Sequence, residues 1–399
     1  MIKKHHLALA AISLETLGAG ISGLALVAAA INISEVSGAT VVVASSLAGV
    51  ALGGALVGAA ASRLSPHIAL LIGEAMRACC VLCLFTMDAG LPLLGVLAAG
   101  IALASAFTIA NRWDILFKSP EYSETNIYHI QQVEVIAGIL SPLAAGYMTG
   151  SFGTRYAYLS SFTFLIAGFL AWIIFCWRMS SFAKPTSNHW SGYACIINSK
   201  PLSFLIILRI LTGSSLVIWS IYLPSALHAV YGDGFASVQG ELAALSAIAV
   251  ACSGFLFKSD KAKKGLIQRF VLLASGSMLM YGLSMAIFAS DSQSIYLLCL
   301  AAIAFGFYVT SIRTSIVHIG KVITPPESIS AVIAAGDSMV RVVNFLVSIC
   351  FGLLLSVLKS GMSLAALFVS MTLISAIAVL ALHYLIPRSD GLNRTTTLD

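Results

Sequence analysis

Charge is scarce in this chain: Asp, Glu, Lys and Arg make up only 10% of its 399 residues, against 59% hydrophobic residues and a mean hydropathy of +0.97. So little polar side chain cannot cover a water-soluble globule, which excludes an ordinary soluble domain. Catalytic signatures are missing as well. No Gly-x-Ser-x-Gly, His-Glu-x-x-His or Gly-x4-Gly-Lys-Ser/Thr pattern occurs, and Gly320-Lys321 is followed by Val322 where a phosphate loop needs a hydroxyl. These absences remove the chemistry of a hydrolase, a zinc protease and a nucleotide-driven pump. Seven of the eight cysteines (Cys79, Cys80, Cys83, Cys176, Cys252, Cys299, Cys350) fall in apolar runs, where a thiol packs as a small hydrophobe. Cys79 and Cys83 share a helix face, but no His or carboxylate completes a ligand set, so no metal, cofactor or enzymatic activity is expected.

Long apolar runs are what the chain has. About twelve of them, each of ~20 residues, are long enough to cross a ~30 Å hydrocarbon layer as helices. The expected spans are 7–31, 39–61, 68–88, 91–112, 127–150, 155–177, 202–228, 236–257, 266–289, 294–317, 329–357 and 363–386. Lys3 and Lys4 before the first run, with Ala28-Ala29-Ala30 in it, imitate a cleavable secretory signal. The run is too long for that, carries Glu15, and its loss would put the two chain halves out of step, so it is read as a retained span.

Lys and Arg resist translocation, so their distribution orients the spans. With the N-terminus inside, inner loops and tails hold sixteen of the twenty-two, Arg63, Arg112 and Lys258 to Arg269 among them. The outer loops hold only Arg155 and Lys359, and Arg77, Arg209, Arg313 and Arg341 lie within spans. The net charge of +6 is thus a topology signal and not a nucleic-acid footprint. The expectation is a multi-pass protein of the inner (plasma) membrane, acting as a monomer with both termini cytoplasmic.

The longest interruption, 178–201, divides the spans six and six. It is expected to be a cytoplasmic linker between an N-terminal bundle (1–177) and a C-terminal bundle (202–386), with a cytoplasmic tail at 387–399. A shift of 194 to 203 positions lays Glu15 over Arg209, Thr108 over Thr310, Arg112 over Arg313, Glu124 over Glu327 and Glu134 over Asp337. Their common order is the mark of a duplicated transporter.

With six plus six spans and an inner central loop, the chain resembles the major facilitator superfamily. Its loop signature between spans two and three is kept in part: Gly58 and Arg63 are present, while Ser62 stands where an acid is usual. The counterpart after Gly254 keeps its acid, Asp260, among Lys258, Lys261 and Lys264. The stretch Gly138 to Gly146, with Pro142, looks like the Gly-Pro-rich fifth span of antiporters in this superfamily, although Ser141 replaces a glycine. The resemblance implies an all-α fold of two pseudo-symmetric six-helix bundles. Spans 1, 4, 7 and 10 would line a central cavity, 2, 5, 8 and 11 would form the seam between halves, and the rest would lie outside.

Ionisable side chains at membrane depth face a partner or a wet cavity, so they are the best functional clues. Glu15, about eight residues and therefore ~12 Å into its span, is the first proton-coupling candidate, with Glu134 and Asp337 on the seam spans beside it. Arg209 is expected across the cavity, placed to pair with Glu15 or to receive an anionic group. Asn111, Trp219, Tyr222 and Tyr308 are substrate-cavity candidates because each joins an apolar body to a polar tip. Arg63, Glu74, Arg77, Arg112, Asp260, Arg313 and Arg341 are assigned to gates or structure. Among them Glu74 and Arg77 are spaced to neutralise each other, as are Asp337 and Arg341, and Arg112 and Arg313 are placed to snorkel to the inner surface.

These expectations converge on a secondary active transporter that moves a small organic molecule by alternating access, with protons and the lipid bilayer as its other partners. Proton-coupled efflux is favoured and proton-coupled uptake of an organic anion is the alternative. A sensor, a lipid scramblase or an intramembrane enzyme is the reading from a different class.

Overall fold

The computed structural model describes residues 4–60, 64–118, 124–178, 190–256, 266–292, 294–323, 329–358 and 361–385. Among them the chain is helical and carries no strand. The helices are α1 (Lys4–Ala60), α2 (Pro66–Thr86), α3 (Leu91–Lys118), α4 (Glu124–Phe152), α5 (Thr154–Arg178), α6 (Trp190–Asn198), α7 (Lys200–Tyr231), α8 (Phe235–Leu256), α9 (Leu266–Ile287), α10 (Ile295–Ile323), α11 (Ile329–Val357) and α12 (Gly361–Leu385).

Among the described residues eight apolar stretches are long enough to cross a membrane, and two of them, at 49 and 52 residues, have length for two crossings each. The 52-residue stretch turns at Gly232–Gly234 between α7 and α8. In the 49-residue stretch the expected loop at 32–38 shrinks to a bend at Ser34 and Glu35, the only non-helical residues of α1. Glu35 takes a positive φ of 36°, a conformation unfavourable for a residue with a Cβ. Immediately beyond it, a Cβ at Gly38 would collide with the carbonyl of Ala30, so only glycine lets the chain double back this tightly. Elsewhere ordinary start and stop chemistry applies. Ser65 and Pro66 open α2 as N-cap and first-turn proline, and Gly153, at φ 87°, supplies the turn from α4 into α5.

The two limbs of α1 pack with α2 to α5 into one six-helix bundle, and α7 to α12 form the other. The short α6 leads from the linker and packs on α11 and α7. Large apolar side chains such as Val96, Leu170, Leu353 and Ile377 point outward in both bundles, a surface suited to lipid tails and not to water. The protein is therefore a multi-pass membrane protein.

The bundles meet where α4 packs on α8 and where α1 packs on α11 and α7. The first contact is nearly backbone to backbone. A Cβ on Gly146 would lie 2.7 Å from Ala236 O, and one on Gly240 would strike Pro142 O. Small residues and Pro142 thus set the seam between α4 and α8. Along α1 and α11, Gly352 lies against Thr40, and Gly54 against Ser338.

Candidate functional site

Among the described residues two clusters of ionisable side chains lie within the membrane-spanning helices, one in each bundle. Both sit at comparable depth: Glu15, Glu134, Arg209 and Asp337 fall eight to eleven residues into their helices, roughly 12–17 Å from the end nearer the linker.

The first cluster has Glu15 at its centre. Arg77 Nη2 of α2 lies 3.0 Å from Glu15 Oε1, and Arg112 Nη1 of α3 donates to both Glu15 oxygens at 3.4 Å. The indole Nε1 of Trp172 on α5 donates to Oε2, also at 3.4 Å. Glu15 therefore has three donors from three helices and is only 3% exposed. Arg77 reaches Glu74 through the same Nη2, and both of those side chains are buried. Arg112 bridges onward to Glu134 of α4, which is 27% exposed. The order from bundle core to open side is thus Glu74, Arg77, Glu15, Arg112, Glu134. It is a hydrogen-bonded row of charge that runs across four helices and ends where water or a ligand has access.

The second cluster is simpler. Arg209 of α7 pairs with Asp337 of α11, the two side chains being 30% and 52% exposed. Gly336 lies against Arg209 and against Ile206, with Ile196 of α6 close by, so the linker helix flanks this pair. Deeper in the same helix pair, Ser214 Oγ approaches Asn344 Oδ1 at 3.3 Å, and Gly213 makes room for the Asn344 amide.

Several expectations change. Glu15 and Arg209 do not pair, because Glu15 faces α2, α3 and α5 of its own bundle. Glu74 and Arg77 do meet, yet Arg77 also serves Glu15, so α2 is wired into the bundle core. Arg112 does not snorkel: it is 5% exposed and joins Glu15 to Glu134. Asp337 meets a cation from another helix, Arg209 of α7. Asn111 turns its amide back to Phe107 O at 2.7 Å and stays buried. Trp219 stacks on Phe305 at 5.2 Å beside Tyr281, Tyr222 meets Phe368 edge-on at 4.9 Å, and Tyr308 lies fully buried beside Thr212 and Ser215. These three aromatics belong to the core of the second bundle. Arg63 and Asp260 lie outside the described residues, as does the side chain of Arg313.

Two partners escaped the sequence reading. Trp172 near the end of a span reads as an interfacial anchor, and nothing local marks it as a donor to Glu15. Thr108, whose hydroxyl donates to Ala104 O at 3.1 Å, faces Glu74. It was noticed only for its repeat partner Thr310.

This helical arrangement was compared with solved structures. The nucleoside transporter NupG superposes with a TM-score of 0.74 at 15% identity, covering 95% of this chain and 99% of that one. A POT family transporter solved with 5-aminolevulinic acid gives 0.77 at 11% identity, covering 96% of each chain. The POT family transporter PepTSo gives 0.74 at 11%. The chain shares the fold of these solved structures over nearly its whole length. No protein-family model matches the sequence, and no curated protein matches it. Both charged clusters lie on helices that neighbour the seam.

Proposed function

We propose that the protein is a secondary active transporter that carries a small organic molecule across the inner (plasma) membrane by rocking its two bundles, and that it exchanges cargo for protons. The observation carrying this reading is the row from Glu15 through Arg112 to Glu134. A buried carboxylate held only by charged and indole donors is costly at membrane depth unless its charge has a use, and here it is linked to a partly exposed acid on a seam helix. A proton arriving at Glu134 frees Arg112, and a proton on Glu15 frees Arg77. The first event loosens α3 from α4 and the second loosens α1 from α2, so both link protonation to helix movement. Arg209 and Asp337 form the corresponding contact of the other half, open to an anionic group that competes for the guanidinium.

Orientation follows the cation bias, with linker and termini cytoplasmic, and the chain works as a monomer in this reading. Export is favoured by the Gly-Pro stretch of α4, which packs at the seam against Gly240. The structural neighbours named for nucleosides and for peptides make those two classes the first cargo to try, with small carboxylates third because of Arg209.

The test uses the purified protein in proteoliposomes with an imposed pH gradient. A transported compound should dissipate the gradient in wild type, and Glu15→Gln should lose that response while still exchanging cargo. Coupled transport at the wild-type rate in Glu15→Gln would refute the role of this site, and the direction of flux separates export from uptake.

A further inference from the structure

Arg77 serves two carboxylates with one nitrogen. Nη2 contacts Glu15 Oε1 and Glu74 Oε1, which brings the two acids to within a single donor of each other. They are not equally provided for. Glu15 also holds Arg112 and Trp172, whereas Glu74 is 0% exposed and its Oε2 accepts from no donor. Two buried carboxyls thus share one donor, and in a site without water two like charges held so close are resolved by a proton.

Besides Arg77, the polar side chain facing Glu74 is the Thr108 hydroxyl, which also reaches Ala104 O and brings no charge. The other groups on the elements packed around Glu74 are accounted for: Glu15 on α1, Arg112 on α3, Trp172 on α5, and on α2 itself Arg77 and, two turns nearer the linker end, the buried His67.

We propose that Glu74 is a proton-binding site beside Thr108, and that Glu74 and Glu15 share one proton around Arg77. When Glu15 becomes neutral, Arg77 is left to Glu74 alone, and Glu74 gives its proton up as an ion pair forms. The exchange conserves charge: one carboxyl is protonated and one ionised before and after. A helix expected to lie outside the working part of the molecule thus carries the second half of its proton store. This deepens the reading of the Glu15 site given above.

Infrared spectroscopy of the full chain in lipid at neutral pH reads the proton directly, through the carbonyl stretch of a protonated carboxyl. Wild type should show that band. It should vanish in Glu74→Gln, and also in Glu15→Gln, where Arg77 is no longer shared, and it should persist in Asp337→Asn, which alters the other cluster. Absence of the band in wild type overturns the proposal, as does its survival in Glu74→Gln or Glu15→Gln. Should Glu74→Gln not fold, Thr108→Val supplies the test: loss of the neighbouring hydroxyl should shift the band upward, and an unmoved band overturns the assignment. None of these outcomes depends on cargo being transported, so a missing band would leave the transport reading to its own experiment.

Discussion

Arg77 Nη2 lies 3.0 Å from Glu15 Oε1 although 62 positions separate the two residues, and neither side chain is more than 3% exposed. Removing Arg77 leaves Glu15 with Arg112 and Trp172 only and takes the cation from Glu74, and breaking a buried pair in this way typically costs about 3–5 kcal/mol. Arg77→Gln should therefore unfold at markedly lower temperature in detergent than wild type. In the double variant with Glu15→Gln, the two losses should sum to clearly more than the combined effect. Strict additivity would mean that the pair contributes no coupling.

Gly240 and Gly146 predict a different kind of failure. Valine at Gly240 places carbon against the carbonyl of Pro142, a backbone atom that cannot rotate away. Gly240→Val should hold α4 and α8 apart and slow transport at least tenfold while each bundle stays folded. Accessibility of cysteines introduced on the facing surfaces of α4 and α8 should rise, and unchanged labelling would contradict this account of the seam.

The pair Arg209 and Asp337 should behave unlike the buried cluster. At 30% and 52% exposure it is screened by solvent, and pairs of that kind are worth about 1 kcal/mol or less. Asp337→Asn should leave thermal stability almost unchanged and act instead on transport, with an apparent affinity for anionic cargo that shifts with salt. A large loss of stability would show that the pair is a structural brace.

Tyr281 offers the opposite sign. Its hydroxyl is buried without a hydrogen-bond partner among rings at Trp219 and Phe305. An unpartnered buried hydroxyl costs about 1–3 kcal/mol, so Tyr281→Phe should raise the unfolding temperature. A fall would mean that the phenol makes a bond through water or cargo.

Hydropathy carried the architecture because lipid imposes one rule on every crossing: backbone groups must be satisfied within the segment. That rule made the apolar crossings and the all-helical fold class legible. Turns were less so. The bend at Ser34 and Glu35 depends on Gly38 nesting against Ala30, a contact that apolar content does not encode. At the charged cluster, the three-residue spacing of Glu74 and Arg77 was enough to foresee their contact, but not that Arg77 is shared. Pairing Glu15 with Arg209 rested on repeat symmetry, which fixes depth along a helix but not the direction a side chain takes around it. Trp172 and Thr108 were invisible for the same reason: their roles arise only when α5 and α3 close around α1.

The elbow at Ser34 and Glu35 has a mechanical corollary. One arm of α1 runs through the heart of the first bundle bearing Glu15, and the other leans on α11 of the second, as at Gly54 with Ser338 and Thr40 with Gly352. A loop would absorb displacement between those arms. Two residues, one already strained, can absorb little, so sliding at the far arm is handed on as a tilt of the arm that bears the carboxylate. Lengthening the elbow by a few glycines would disconnect the two, leaving each bundle intact but deaf to the other.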